Sequence, residues 1–195
     1  IYYTAVLNSR LGNLHDSVLA LIKTARMVQQ HQLSESFLQS CYCDIAVTLN
    51  LLGKNKMAVA FFTKAEAIGR KLPVSINFLN VLLRKCIALE TVGLLHEVSA
   101  LLQEFEKDFE ACQNTNIQNQ YYYFRLLIHL RKGELAACKP YAAQLEKGYA
   151  NSPEAFIQGN ILGGLADYFK ATRQYKKANT YLRIVVDNST KFYNN

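Results

Sequence analysis

Apolar residues recur at three- and four-residue intervals along most of the chain, as in 45–52 and 122–130. This spacing is typical of amphipathic α-helices, and we find no two-residue alternation of the kind that half-buried strands show. Between the helical runs stand five marks that are 41, 40, 40 and 40 residues apart, namely Gly12, Gly53, Gly93, Gly133 and Arg173. Each mark has one helical run before it and one after it. The pattern therefore predicts five pairs of helices, each pair joined by a tight turn.

The turn residues and the candidate helix caps indicate where each helix begins and ends. We predict first helices near 1–11, 35–52, 74–92, 116–132 and 154–172, and second helices near 14–31, 55–71, 94–112, 134–150 and 174–193. The repeat units are then about 1–33, 34–72, 73–113, 114–151 and 152–195, within one domain. Ser34 and Ser152 are candidate amino-terminal caps. Pro140 falls inside a predicted helix, so that helix either starts late or is kinked.

Small residues recur at matching positions within the units. Seven residues before each mark stand Ala5, Ala46, Cys86, Leu126 and Ala166, and five residues after it stand Ser17, Ala58, Val98, Cys138 and Ala178. Nine residues after it stand the mostly larger Leu21, Phe62, Leu102, Ala142 and Leu182. Small side chains let helix axes approach to about 8–10 Å. A unit of this length cannot bury its apolar faces alone, so successive units are expected to stack.

These positions resemble the tetratricopeptide repeat (TPR). The fifth unit, LADYFKATRQYKKANTYL, carries the small and large residues in the order of that family, and the second unit, with Ala46, Gly53, Ala58, Phe62 and Ala65, is nearly as similar. The resemblance covers about the whole chain. It implies an all-α, right-handed superhelical solenoid of about five TPR-like repeats. The period of 40 rather than 34 resembles the longer variants found in bacterial signalling proteins.

A narrower resemblance concerns the last residues, YLRIVVDNSTKFYNN. They are similar to the closing helix of arrays that lead into the catalytic domain of bacterial diguanylate cyclases (GGDEF proteins) and histidine kinases, and the layout also resembles MalT-like and peptide-sensing transcription regulators. Because the chain opens without methionine, inside a predicted helix, we expect it to be part of a longer protein. The expected role is a sensor or interaction region of such a protein. A constitutive adaptor or dimerisation scaffold is the alternative.

Polar residues also repeat with the array. Thirteen residues before the marks stand Ser40, Asn80, Gln120 and Asn160, and related registers hold Tyr123, Asn50 and Lys170. The TPR resemblance implies that these registers face a concave groove, where an amide supplies both a donor and an acceptor to the backbone of an extended peptide. We therefore predict Asn50, Asn80, Gln120, Tyr123, Asn160 and Lys170 as ligand-binding residues. The alternative is that a solvated groove simply favours polar side chains.

The net charge is +7, with 22 Lys and Arg against 15 Asp and Glu. The basic residues are scattered rather than gathered in a stripe with stacking aromatics, which argues against a nucleic-acid site in this region. No apolar run reaches the 18 residues of a membrane span. The expected partner is a peptide or protein segment in the groove, with homodimerisation as an alternative, and no nucleic acid or membrane partner is expected for this region.

No motif for catalysis or for a cofactor is present, whether a phosphate loop, HExxH or GxSxG. Five cysteines lack the spacing of a disulfide framework or a zinc site, and Cys41 and Cys43 point apart on a helix. We expect neither a metal nor a cofactor, a non-enzymatic region, and a cytoplasmic location, with a periplasmic sensor region as the alternative. His129 is expected to pack at a helix interface. The glycine-rich run 159–164 is read as helix packing rather than as a nucleotide loop, or else as a face that a ligand backbone approaches.

Overall fold

The computed structural model describes residues 1–149 and 155–193, with side chains described for 1–149 and 160–187. The helices within these ranges are α1 (Tyr2–Arg10), α2 (Leu14–Gln30), α3 (Glu35–Leu51), α4 (Asn55–Gly69), α5 (Ile76–Thr91), α6 (Leu95–Glu104), α7 (Glu106–Ala111), α8 (Thr115–Lys132), α9 (Leu135–Tyr149), α10 (Ala155–Ala171) and α11 (Tyr175–Tyr193). No strand occurs in the described parts of the chain. The all-α prediction is therefore confirmed.

The turn marks have the conformation that their recurrence predicted. Gly12, Gly53, Gly93 and Gly133 have φ between 72° and 82°, and Arg173 has φ 60°. This left-handed region costs an ordinary residue free energy but costs glycine almost nothing. The left-handed backbone at each mark therefore forms the tight turn between the two helices of a pair. These turns recur in the structure at the same interval of about 40 residues as the marks do in the sequence.

The repeated small positions are buried, as predicted. Ala5, Ala46, Cys86, Leu126 and Ala166 on the first helices, and Ser17, Ala58, Val98, Cys138 and Ala178 on the second helices, are all at most 4% exposed. The larger positions are also buried in four pairs, but Leu182 is 46% exposed. Leu182 lies on α11, and no later helix in the described chain covers that face. Leu182 therefore differs from its four equivalents in burial.

The chain divides into two compact units. Unit 1 comprises Ile1–Leu101 and unit 2 comprises Leu102–Asn195. In unit 1, α2, α3 and α4 pack in succession around a core that includes Leu21, Ile45, Ala46 and Phe62, and α5 packs against α4. In unit 2, α8 packs against α9 and α10, and its core includes Leu126, Leu145, Ile161 and Leu165.

The predicted second helix at 94–112 is interrupted at Phe105, where the backbone leaves the helical region with φ −106° and ψ 21°. The short α7 that follows directs Phe109 onto the ring of Tyr121, with centroids 5.1 Å apart and planes 12° apart. Its first residue, Glu106, accepts a hydrogen bond from the Tyr121 hydroxyl. Two short helices thus replace the single predicted one, because these contacts to α8 require a change of direction.

Helix ends follow local signals. Ser34 caps α3, since its Oγ accepts from the backbone N–H of Phe37, whereas the other candidate cap, Ser152, lies outside the described residues. The helix α5 begins at Ile76, two residues later than predicted, because Ser75 caps it. Pro140 lies within α9, which begins at Leu135, so the late start that we considered for this helix is wrong.

Two glycines allow close contacts between helices. A Cβ on Gly69 of α4 would collide with the ring of Phe78 and the amide of Gln39, and a Cβ on Gly148 of α9 would collide with the amide of Asn119. Gln39 and Asn119 use the space to donate to the carbonyl oxygens of Ala65 and Gly148, at 3.3 Å and 3.4 Å. Each amide therefore fastens a first helix to the end of the second helix of its own pair.

Candidate functional site

A polar groove on unit 1 is formed by the first helices α1, α3 and α5. It encloses about 190 Å³ and is lined by Tyr2, Gln39, Ser40, Cys43, Asp44, Asn77, Asn80, Val81 and Arg84. The α3 and α5 residues in this set follow one another at steps of one and three residues, so each helix presents a single face to the groove. The stacking of helix pairs therefore gathers polar side chains that are distant in sequence.

Asp44 and Tyr2 meet in this groove. The Tyr2 hydroxyl donates to Asp44 Oδ2 at 2.6 Å, which joins α1 to α3. Burial raises the pKa of Asp44, while the hydrogen bond from Tyr2 and the charge of Arg84 oppose the change. Burial also raises the pKa of Tyr2, and its hydrogen bond to Asp44 adds to that effect. The groove thus holds a partly buried carboxyl group that has one fixed donor.

Cys43 and Arg84 form the neighbouring part of the groove. Burial raises the pKa of Cys43 to about 12, with the charge of Arg84 acting in the opposite direction. At neutral pH the thiol therefore stays protonated and unreactive. Arg84 is half-buried and makes no ion pair with any carboxylate among the described residues. Its guanidinium is the cationic group of the groove lining, and its charge acts on both Asp44 and Cys43.

The structure distributes the predicted ligand-binding residues over both units. Asn80 lines the groove of unit 1, together with Ser40 from the same repeat register. Asn50 is not part of that lining, and its Oδ1 is buried without a hydrogen-bond partner in the described structure. Gln120 and Tyr123 lie on α8, and Asn160 and Lys170 lie on α10, all in unit 2. Lys170 is exposed, while Gln120, Tyr123 and Asn160 are half-buried.

Gly164 and Tyr123 show what the glycine-rich run does in unit 2. A Cβ on Gly164 would lie 3.0 Å from the Tyr123 ring, tighter than an ordinary van der Waals contact, whereas a Cβ on Gly163 would meet nothing within 4 Å. The run lies within the helix α10. Gly164 thus serves the packing of α10 against α8, in agreement with our interpretation, and Gly163 leaves backbone uncovered beside it.

A charged and aromatic network on unit 2 escaped the sequence analysis. Arg125 pairs with Glu106 at 3.1 Å, and its Nε and Nη2 donate to the Tyr141 hydroxyl at 3.2 and 3.1 Å. The ring of His129 stacks on Tyr141, and its Nδ1 lies 2.6 Å from Glu134 Oε2. The prediction that His129 packs at a helix interface is confirmed. The network joins α7, α8 and α9. Its polar groups bind one another, which is typical of a cluster that stabilises the fold.

The remaining chemistry is sparse in the part of the chain that the structure describes. No group of three or more His, Cys, Asp or Glu side chains is placed to hold a metal ion there. Cys41, Cys43, Cys86, Cys112 and Cys138 are all buried as free thiols. None of the described helices combines the length and the apolar character that crossing a bilayer requires.

No protein-family model matches the chain, and no curated protein matches it by sequence. Solved structures do match. A kinesin-light-chain-type protein of Podosopora anserina with nearly identical TPR-like repeats has a TM-score of 0.71 at 15% identity, covering 100% of this chain and 95% of its own. BtubC (BKLC) from P. vanneervenii has a TM-score of 0.72 at 12% identity, and the match covers 97% of this chain and 78% of BtubC.

Bacillus thuringiensis PlcR, solved with the peptide PapR7 and DNA, has a TM-score of 0.61 at 14% identity, covering 98% of this chain and 71% of its own. At these identities the similarity concerns the fold alone. The left-handed turn at every mark and the buried small positions agree with it. The chain has an all-α fold of stacked TPR-like repeats.

Proposed function

We propose that this chain is a non-catalytic scaffold that binds an extended peptide or protein segment, and that the groove of unit 1 is its binding site. The observation that carries the proposal is the convergence of Asn80, Arg84 and Asp44 in one groove built by three first helices. These groups supply a neutral amide, a cation and a carboxyl group. Such a set suits a peptide, which offers backbone donors and acceptors together with charged side chains or termini.

The chemistry of each group supports this assignment. The amides of Asn77 and Asn80 can each donate to and accept from one peptide unit. Arg84 lacks an ion-pair partner in the described structure, so its guanidinium can take a ligand carboxylate in a two-point hydrogen bond. Asp44 is already held by Tyr2, which fixes its position before a ligand arrives. A groove with pre-positioned partners loses less conformational entropy on binding.

The other predicted residues extend the proposal. In unit 2 we assign Gln120, Tyr123 and Asn160 as a second set of ligand contacts, and we assign Asn50 and Lys170 as flanking contacts. The half-buried state of the first three supports this, because a ligand can reach them without unfolding the helices. Homodimerisation through the repeats is the alternative use of these surfaces.

For the biological role, we propose a sensor or interaction region of a larger bacterial signalling protein, such as a diguanylate cyclase. Binding along stacked repeats can be coupled to a change of shape, because each repeat contacts only its neighbours. The structural similarity to PlcR, solved with a peptide, favours a second candidate, the peptide-sensing region of a transcription regulator. A constitutive adaptor is distinguished from both by small-angle scattering, since its shape stays the same when ligand binds.

The binding site is tested with an array of nonapeptides of unbiased sequence, from which the tightest binder is titrated against the purified chain. We expect Asn80→Ala with Arg84→Ala to weaken binding tenfold or more, because one neutral and one charged hydrogen bond together contribute about 2–4 kcal/mol. Asn179→Ala with Arg131→Ala is the matched control, since both residues are exposed in unit 2. Equal affinities for a folded groove variant and the control would contradict the proposal.

A further inference from the structure

A second pocket lies on unit 1, on the side of α3 that faces away from the groove. It encloses about 260 Å³ and is lined by Ile22, Ala25, Arg26 and Gln29 of α2, Tyr42 and Ile45 of α3, and Phe61 and Lys64 of α4. Residues of an α-helix are about 100° apart around its axis, so Tyr42 and Ile45 point away from Ser40 and Asp44. The two sites therefore share α3 but no side chain.

The inner wall of this pocket is apolar and aromatic. Ala25 and Ile45 are fully or almost fully buried, and Ile22 is half-buried beside them. The rings of Tyr42 and Phe61 are half-buried, with centroids 6.0 Å apart and planes tilted by 51°. An apolar or aromatic group is the natural occupant of such a wall, because aromatic rings gain from tilted and edge contacts beyond simple burial.

The rim of the pocket is cationic. The Nζ of Lys64 lies 4.8 Å from the centroid of Phe61 and 5.8 Å from that of Tyr42, and Arg26 lines the pocket from α2. Neither cation makes an ion pair with a carboxylate among the described residues. Two cations that lack a carboxylate partner in the described structure, one of them already held beside the aromatic rings, would pair with an anion whose apolar part enters the pocket.

We propose that this pocket binds a small aromatic carboxylate, with its ring against Tyr42 and Phe61 and its carboxylate on Lys64 and Arg26. The volume of about 260 Å³ lies just below the range of about 300–1,000 Å³ of pockets for drug-sized ligands, so a single ring system with a short acidic arm fits. Because the pocket shares no side chain with the groove, this assignment does not depend on the peptide-binding proposal.

Indole-3-acetate is the probe, and its binding to the 195-residue chain is followed through the methyl signals of Ile22 and Ile45 in NMR spectra. With about 13 non-hydrogen atoms, it should bind with a Kd on the order of 1 mM. Tryptamine, with the same ring and the opposite charge, should bind at least about fivefold more weakly, because it meets two cations. Both probes are titrated against the native chain, so the comparison does not depend on the folding of a variant. Equal binding of the two probes would overturn the proposal.

Two variants locate the charge effect. Arg26→Gln with Lys64→Gln should weaken indole-3-acetate binding by about fivefold or more, because both charge-assisted contacts are lost. Lys23→Gln with Lys56→Gln removes the same net charge from exposed positions outside the pocket lining and should leave the affinity unchanged. An equal loss in both variants would overturn the site. Binding of the dipeptide acetyl-Trp-Glu-amide more than about tenfold tighter would also overturn it, because a partner's side chain would then be the occupant.

Discussion

Lys85 Nζ of α5 lies 2.5 Å from Glu66 Oε2 of α4, and the two side chains are only 11% and 7% exposed. The other oxygen of Glu66 pairs with Arg70 one turn later at 2.6 Å. The contact between the second and third helix pairs therefore includes a buried ion pair. Removing Lys85 would leave the buried carboxylate of Glu66 with the partly exposed Arg70 as its remaining cationic partner.

Lys85→Met should thus lower the free energy of unfolding by about 1–3 kcal/mol, less than for a pair without a second partner, because Arg70 still pairs with Glu66. Glu66→Leu combined with Lys85→Met should recover much of that loss, because no charge is then buried. Urea unfolding followed by circular dichroism measures both. Lys71→Met, an exposed lysine, is the control and should change stability by less than about 0.5 kcal/mol. A single variant as stable as the double variant would contradict the pairing.

The turn marks offer a matched pair of substitutions. Gly93 and Arg173 have the same left-handed backbone, and a Cβ on Gly93 would touch nothing within 4 Å. We expect Gly93→Ala to cost about 1 kcal/mol and Arg173→Gly to stabilise by a smaller amount, because only backbone strain changes at these sites. Thermal unfolding midpoints should therefore move in opposite directions. Shifts of the same sign would show that contacts other than the turn dominate.

Ser17 carries a hydroxyl that is buried without a hydrogen-bond partner in the described structure. Equivalent positions in other repeats hold Ala58 and Ala178. Ser17→Ala should raise the free energy of unfolding by about 1 kcal/mol, because the desolvation cost of the hydroxyl disappears while the packing is kept. Denaturant midpoints test this, with the exposed Ser36→Ala as the control. A clear loss of stability would show that the hydroxyl is satisfied.

Asp44 makes stability depend on pH. Because burial raises its pKa, the folded state keeps this proton at pH values where the unfolded chain, with a pKa of about 3.9, has released it. The free energy of unfolding should therefore fall as pH rises from about 4 through the raised pKa.

Asp44→Asn should remove this dependence and should be more stable than the native chain at pH 7. Urea unfolding at pH 4, 5, 6 and 7 tests it, with the exposed Asp16→Asn as the control. If the free energy of unfolding of the native chain changes with pH in the same way as that of the Asp44→Asn variant, the raised pKa of Asp44 is contradicted.

The fold could be predicted from the recurring turn glycines and the recurring small residues of the sequence. Gly93 and its equivalents recur because a left-handed turn needs them, and Ala46 or Ala58 recur because helices approach closely there. The break at Phe105 escaped prediction, because it depends on the stacking of Phe109 on Tyr121 and not on a breaker residue. Contacts across helices override a continuous helical pattern in such cases.

The candidate site was predictable only in part. Asn80 was identified from its repeat register, and it lines the groove. Asp44, Arg84 and Tyr2 were not, because nothing in their spacing shows that three separate helices bring them together. The pocket between Tyr42 and Phe61 was missed for the same reason. Periodicity identifies what all repeats share, whereas these sites are built from side chains that differ between repeats.

The two close contacts at Gly69 and Gly148 carry a consequence for building longer or shorter versions of this array. Gly69 accommodates Phe78 and Gln39, while Gly148 accommodates Asn119. The two amide contacts lie within single pairs, so they are kept when a whole pair is duplicated, deleted or exchanged. The contact of Gly69 with Phe78 joins the second pair to the third, so placing a pair with a larger residue at this helix end before α5 would bring that residue against the ring of Phe78. A modular redesign would have to transfer Gly69 together with Phe78.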